Sequence, residues 1–229
     1  PQEYAINILQ TKNENYFLLE NTTNAIYINR LDGTGNILWS KKIDSLYLHA
    51  SVLLGNEQMI ISASIHSDSD FHNLHVMRID TSGDVVWSRK IKSKKSFQGH
   101  SLIQLSDGTI LFDALPDSIN KNKYPLMKMD TSGNLIWVRY LKRPGVNLTI
   151  NVVDFTALAG GNGFAAVVES FDKAMYFLRL DNDANPIVAN KINLQFHQVN
   201  DIEETSDGSF FIVGKKAPEG ETYSGYLVK

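Results

Sequence analysis

The sequence predicts an all-β fold, a β-propeller of four-stranded antiparallel blades, with about five blades visible and the last one incomplete. Three observations predict it. One segment recurs at roughly 50-residue spacing, the length of a propeller blade. It reads INRLDGTGNILWSKKI at 28–43, VMRIDTSGDVVWSRKI at 76–91, LMKMDTSGNLIWVRYL at 126–141 and, more worn, FLRLDNDANPIVANKI at 177–192. Each repeat divides into short runs rich in Ile, Leu, Val, Phe and Tyr, separated by Asp, Asn, Ser and Gly clusters, as strands and turns do. No window combines sustained i, i+3, i+4 apolar spacing with a helix cap.

The units follow in order. The first runs from 4 to 43, the second from 44 to 92, the third from 93 to 142, the fourth from 143 to 193, and an incomplete fifth from 194 to 229; all form a single domain. The third shows the plan most clearly. HSLIQL (100–105) is its first strand, TILFDAL (109–115) its second, PLMKM (125–129) its third and NLIWVRYL (134–141) its fourth. The aligned aspartates Asp32, Asp80, Asp130 and Asp181 open the last turn of each unit, and Trp39, Trp87, Trp137 and Val188 follow them. Every tryptophan of the chain occupies this one position.

Gly35, Gly83 and Gly133 share a turn position where a positive φ is expected, which glycine adopts without a side-chain penalty. Ala184 takes that place in the fourth unit, so an altered or strained turn is expected there. Strict alternation would put Ile37, Trp39, Lys41 and Ile43 on one face, and Leu135, Trp137, Arg139 and Leu141 likewise. The indoles then pack between neighbouring blades, and Lys41, Arg89 and Arg139 extend toward solvent. Stacking sheets radially buries both faces of each and leaves no long open edge.

The fifth unit reaches Lys229, which aligns with Arg30, Arg78, Lys128 and Arg179, two residues before the next Asp turn. Its fourth strand is missing from the sequence. Two readings stay open: a ring whose last blade is short or completed by another chain, or a part of a longer polypeptide with more blades. An uncapped three-stranded blade invites strand addition from a partner.

Composition excludes several classes. The chain has 229 residues, 22 basic against 25 acidic, a net charge of −3. That balance argues against a nucleic-acid binder, which needs a dense basic surface. No apolar run is long enough to span a bilayer. With no cysteine there are no disulfides, thiolate nucleophiles or thiolate metal sites. Pro1, with no leader pattern, reads as a processing boundary.

The pattern built on Gly35-Asn-Ile-Leu-Trp39, Gly83-Asp-Val-Val-Trp87 and Gly133-Asn-Leu-Ile-Trp137 resembles the PQQ-like β-propeller repeat and its Gly–x–x–x–Trp docking element. The spelling DTSGNLIW is similar to repeats of secreted and surface proteins of Bacteroidetes. The resemblance implies a propeller exported to the cell envelope or extracellular space. It carries little functional content, since such repeats occur in quinoprotein dehydrogenases and in binding scaffolds alike. The quinoproteins carry a vicinal cysteine pair, which this chain lacks.

Functional residues are sought outside the repeat. His49, His100 and His197, with Asn151 near the equivalent place, fall at the start of first strands, which line a propeller's channel. Convergent imidazoles there would suit a metal or an anion; singly, each would fix a neighbouring blade's backbone. The loops between second and third strands differ in length, and irregular loops on a regular scaffold are where function usually sits. That face gathers His66, Asp68, Asp70 and His72, a possible divalent-cation (calcium) set of oxygen and imidazole donors that lacks an EF-hand's Gly and distal Glu. Lys94, Lys95, Phe97, Lys121, Lys123 and Tyr223 join it as partner-binding residues. The repeat aspartates read as turn caps rather than metal ligands, and the tryptophans as core rather than a stacking platform. Asn21-Thr-Thr and Asn147-Leu-Thr match glycosylation acceptors. No nucleophile elbow, H-E-x-x-H or phosphate loop is present. The expectation is therefore a non-enzymatic binding scaffold that docks protein partners on its loop face and needs no cofactor. The alternatives are a glycan-binding lectin and a metal- or quinone-dependent enzyme of the central channel.

Overall fold

The computed structural model describes residues 4–65, 73–92, 101–114, 125–141, 151–170, 174–192, 198–216 and 224–228. They form five antiparallel sheets in chain order. The first holds β1 (Tyr4–Gln10), β2 (Tyr16–Asn21), β3 (Ala25–Leu31) and β4 (Ile37–Asp44). The second holds β5 (Leu46–Leu53), β6 (Met59–Ile65), β7 (Asn73–Ile79) and β8 (Val85–Lys92). The third holds β9 (Leu102–Gln104), β10 (Ile110–Asp113), β11 (Pro125–Met129) and β12 (Leu135–Tyr140). The fourth holds β13 (Asn151–Ala157), β14 (Phe164–Glu169), β15 (Met175–Leu180) and β16 (Pro186–Ile192). The fifth has three strands, β17 (Gln198–Glu204), β18 (Phe210–Lys216) and β19 (Ser224–Val228). Each sheet is a meander, and the first strands lie side by side in the order β1, β5, β9, β13, β17. This is the β-propeller arrangement. Among the described residues no seam of comparable closeness joins β17 back to β1. No helix among them is long and apolar enough to cross a membrane.

The core consists of four seams between successive sheets. Phe17, Leu19 and Ile28 meet Leu48, Met59 and Ile61 in the first. Ile60 and Val76 meet Leu102, Phe112 and Met127 in the second. Leu111 and Leu126 meet Phe155, Phe164 and Ala166 in the third. Ala165 and Val167 meet Val199, Ile202 and Ile212 in the fourth. Each fully buried Leu, Ile or Phe contributes about 1.5–3 kcal/mol relative to exposure.

The half-buried tryptophans close the outer end of three seams by gripping the next sheet's turn. A β-carbon added to Gly83 would sit 2.7 Å from the Trp39 ring, and one on Gly133 would sit 3.1 Å from the Trp87 ring. Both glycines have positive φ, 82° and 85°. The basic residue opposite each tryptophan adds a hydrogen bond across the seam. Arg30 donates to the Thr81 carbonyl (2.9 Å), Arg78 to Thr131 (2.8 Å) and Lys128 to Asn182 (2.9 Å). Lys41, Arg89 and Arg139 do not simply extend into water. Lys41 reaches Asp84 at 2.9 Å, while Arg89 and Arg139 donate to carbonyls of the following turn at Gly133 and Asp183.

One sequence expectation needs correction, and a second, the altered or strained turn at Ala184, holds in its second form. Ile37 and Leu135 do not share a face with the tryptophans; they are 65% and 51% exposed. A bulge in every fourth strand explains this. Trp39 pairs with Arg30 but Ile37 with Leu31, leaving Leu38 as an extra residue, and the register shift recurs in β8, β12 and β16. One extra residue reverses the alternation on either side of it. The turn at Ala184 is not altered: it keeps the Asp181 caps and bonds of its siblings, and Ala184 itself takes φ 59°. The strain is therefore confined to one left-handed alanine, costing about 1–2 kcal/mol.

The repeat aspartates act as turn caps. Asp32 Oδ1 accepts the Thr34 and Asn36 amides, both at 2.9 Å, and Asp80, Asp130 and Asp181 repeat the pattern. Asn21, a glycosylation match in the sequence, is fully buried and spends its amide on the Leu48 carbonyl and N–H at 2.9 and 2.8 Å. Asn147 lies outside the described residues.

Candidate functional site

The five first strands line one open cavity of about 670 Å³. Four of them carry a bulge, at Ile6, His49, Val153 and Asn200. A bulge kinks its strand and re-aims the residues beside it. The residue that follows each, Asn7, Ala50, Asp154 and Asp201, lines the cavity, and Ser101 takes the corresponding place at the start of the third sheet. The second-strand partner is apolar at three of the five positions, Leu19, Val167 and Val213, while Ala50 faces Ser62 and Ser101 faces the buried Asp113.

These residues form a chain of hydrogen bonds around the wall. Asn7 Nδ2 donates to Ser51 Oγ at 3.0 Å. The Ser101 hydroxyl donates to Asp154 Oδ1 at 2.5 Å, and its amide donates to the buried Asp113 at 2.8 Å. Asp154 Oδ2 accepts the Ile202 N–H at 3.1 Å. Its carboxyl also meets that of Asp201, which follows the fifth sheet's bulge. Burial pushes the Asp154 pKa up to about 7, and the neighbouring Asp201 carboxyl pushes the same way against the Ser101 hydroxyl and the Phe155 N–H. Two carboxyls in contact cannot both ionise cheaply, and Asp154 is the one that keeps its proton toward neutral pH. Glu203, also on the wall, is raised by burial and by the charge of Asp201. The charged residues among the cavity's described lining are all acidic: Asp154, Asp201 and Glu203.

Of the residues singled out from sequence, His49 is on the wall. Its Nε2 lies 2.7 Å from Ser64 Oγ and its ring packs on Tyr47. Asn151 is not at the equivalent position; it opens β13 two residues before the Val153 bulge and is not part of the lining. Asn200 matches His49 in the fifth sheet. His100 and His197 lie outside the described residues, as do His66, Asp68, Asp70, His72, Lys94, Lys95, Phe97, Lys121, Lys123 and Tyr223. Among the described residues no three His, Asp or Glu side chains are grouped to hold a metal ion. The carboxyl pair escaped sequence reading because Asp154 and Asp201 align with Asn7, Ala50 and Ser101, so no repeated letter marks them. Counting back four residues from the first turn of each unit would have found the column.

No protein-family model and no curated protein sequence matches the chain. Solved structures do match by fold. A candidate 6-phosphogluconolactonase of Bacteroides fragilis aligns with a TM-score of 0.55 at 11% identity, over 97% of this chain and 69% of that one. The periplasmic gluconolactonase of Pseudomonas aeruginosa aligns with 0.56 at 8% identity, over 94% and 70%. The WD40 repeats of RRP9 align with 0.54 at 8%, over 90% and 58%. At these identities the likeness establishes the β-propeller fold and nothing finer, including the PQQ-like subtype that the repeat spelling resembles. It does overturn the expectation of a non-enzymatic loop-face scaffold. Chains described as lactonases stand beside WD40 repeats among the neighbours, so missing catalytic motifs on this fold do not signify a non-enzyme.

Proposed function

We propose that the protein is a hydrolase of small, uncharged, polyhydroxylated cyclic esters of the sugar-lactone class, with its chemistry in the central channel. The observation that carries this reading is the Asp154–Asp201 carboxyl pair in a cavity of about 670 Å³, one member holding a proton up to about pH 7. A lactone needs a base for the attacking water and an acid for the departing ring oxygen, and a protonated carboxyl beside a second carboxyl can supply both. Asp201 takes the proton from water as oxygen bonds to the lactone carbonyl carbon. Asp154 gives its proton to the ring oxygen as that C–O bond breaks, which leaves a hydroxy acid. Ser101, Thr156 and Asn200 on the wall suit a polyol. The acidic lining disfavours a phosphorylated sugar, which calls for Arg or Lys. Support of a weaker kind comes from the gluconolactonase among the fold neighbours, whose periplasmic setting also favours an exported location.

The test is gluconolactone hydrolysis by the purified chain with Asp154→Asn as control. Loss of at least 100-fold in kcat with unchanged folding is expected. Equal rates in the two proteins, or none above buffer in either, would overturn the reading.

A further inference from the structure

The face of the first sheet turned away from the second keeps part of the build of the inner seams: Ile8, Leu18 and Leu31 follow the apolar pattern, while Glu20 and Asn29, hydrogen-bonded at 2.7 Å, stand where the second sheet has Ala63 and Met77. In sheets three, four and five the first-strand residues Leu102, Phe155 and Ile202 are 6%, 3% and 1% exposed, each packed against the preceding sheet. Their counterpart in β1, Ile8, is 59% exposed. Leu18 and Leu31 on the same face are half-buried, whereas their counterparts Ile61 and Ile79 are fully buried.

The outer turn repeats the contrast. Gly83, Gly133 and Ala184 are buried beneath the preceding sheet's tryptophan. Gly35 holds the same left-handed conformation, φ 89°, yet is exposed, with nothing within 4 Å of where a β-carbon would sit. The carbonyls of Thr81, Thr131 and Asn182 each accept a cation from the preceding sheet. Among the described residues no donor reaches the equivalent Gly33 carbonyl.

We propose that turn 32–36 and the patch of Ile8, Leu18 and Leu31 beside it form a docking site for another sheet of this same repeat chemistry. The partner's outer strand carries a tryptophan with Lys or Arg two residues on, and an Arg or Lys faces that tryptophan from the adjacent strand. The three occupied seams define this chemistry residue by residue. A second copy of the chain does not supply it: Trp39, Trp87 and Trp137 are engaged in their own molecule, and the fourth sheet has Val188 instead. The inference rests on seam geometry and is independent of the channel chemistry.

The probe is a backbone-cyclised hairpin copying residues 74–91, which includes Arg78, Trp87 and Arg89; cyclisation offsets the poor stability of a free hairpin. Saturable binding to the full chain is expected, with slowed amide exchange at 32–36. Replacing the hairpin's Trp87 by Ala, or Gly35→Leu in the protein, should weaken binding at least tenfold. Asn36→Lys, which sets a cation against the hairpin's Arg89, serves as a second variant should Gly35→Leu fold poorly. Absence of saturable binding, protection elsewhere than 32–36, or binding indifferent to all these changes would overturn the proposal.

Discussion

Asp154 and Asp32 carry the same side chain held at opposite ends of the carboxylate range. Asp32 lies in the open, where the Thr34 hydroxyl and the Asn36 side chain and amide favour its charge and hold it well below the usual value. The Asn134 amide and side chain do the same for Asp130. Asp154 is pushed up to about 7 by burial and then by Asp201. The signs for stability follow. The depressed caps stabilise above about pH 4, their ordinary pKa, and lose that contribution as acid protonates them. The raised Asp154 stabilises fully below about pH 4 and loses its contribution as pH rises through 7. Glu203 acts in the same direction as Asp154. His75, lowered by burial and then by Lys90, acts in the other. A comparison with Asp154→Asn isolates the one group. Relative to that variant, the wild type should lose on the order of 2–3 kcal/mol between pH 4 and pH 8 in urea unfolding, the full shift being discounted because Asp154 keeps some contact with channel water. A difference constant with pH would mean that Asp154 titrates normally.

At the scale of elements, what repeats is the grip of one sheet on the next turn, and that is why it was legible. Asp, Gly, Trp and a cation recur because three of the four seams use the same turn cap, the same left-handed residue and the same indole; the fourth has Val188 in place of the indole. Channel residues follow no repeat, since the five first strands place Asn7, Ala50, Ser101, Asp154 and Asp201 on one shared space. The bulges were illegible for another reason: Leu38, Val86 and Ile136 look like ordinary strand residues, and only pairing reveals the extra one. The grip yields a direct contrast between two glycines with nearly the same φ. Gly83→Ala places a methyl 2.7 Å from Trp39 and Lys41, whereas Gly35→Ala meets nothing. Both should carry the left-handed penalty of about 1–2 kcal/mol. Gly83→Ala should cost about 1–3 kcal/mol more from overpacking. Thermal unfolding of the two variants measures the difference, and equal losses would remove the seam contact as its cause.

For the whole molecule, the propeller separates two tasks. Tryptophan seams and apolar faces carry stability at the middle and rim, so the inner strands are free to vary around the channel. The architecture was readable because it is written several times over; the site was not, because it is written once. The unevenness of the loops drew attention to an outer face, while the polar groups that the fold brings together lie on the axis. The lactone reading stands or falls on the state of one proton there. The most direct measurement is an NMR titration of the Asp154 carboxyl carbon, repeated with gluconate, the hydrolysis product, and in Asp201→Asn. A midpoint near 7 is predicted, moved by gluconate and lowered when Asp201 loses its charge. A midpoint near 4, indifferent to both, would contradict it.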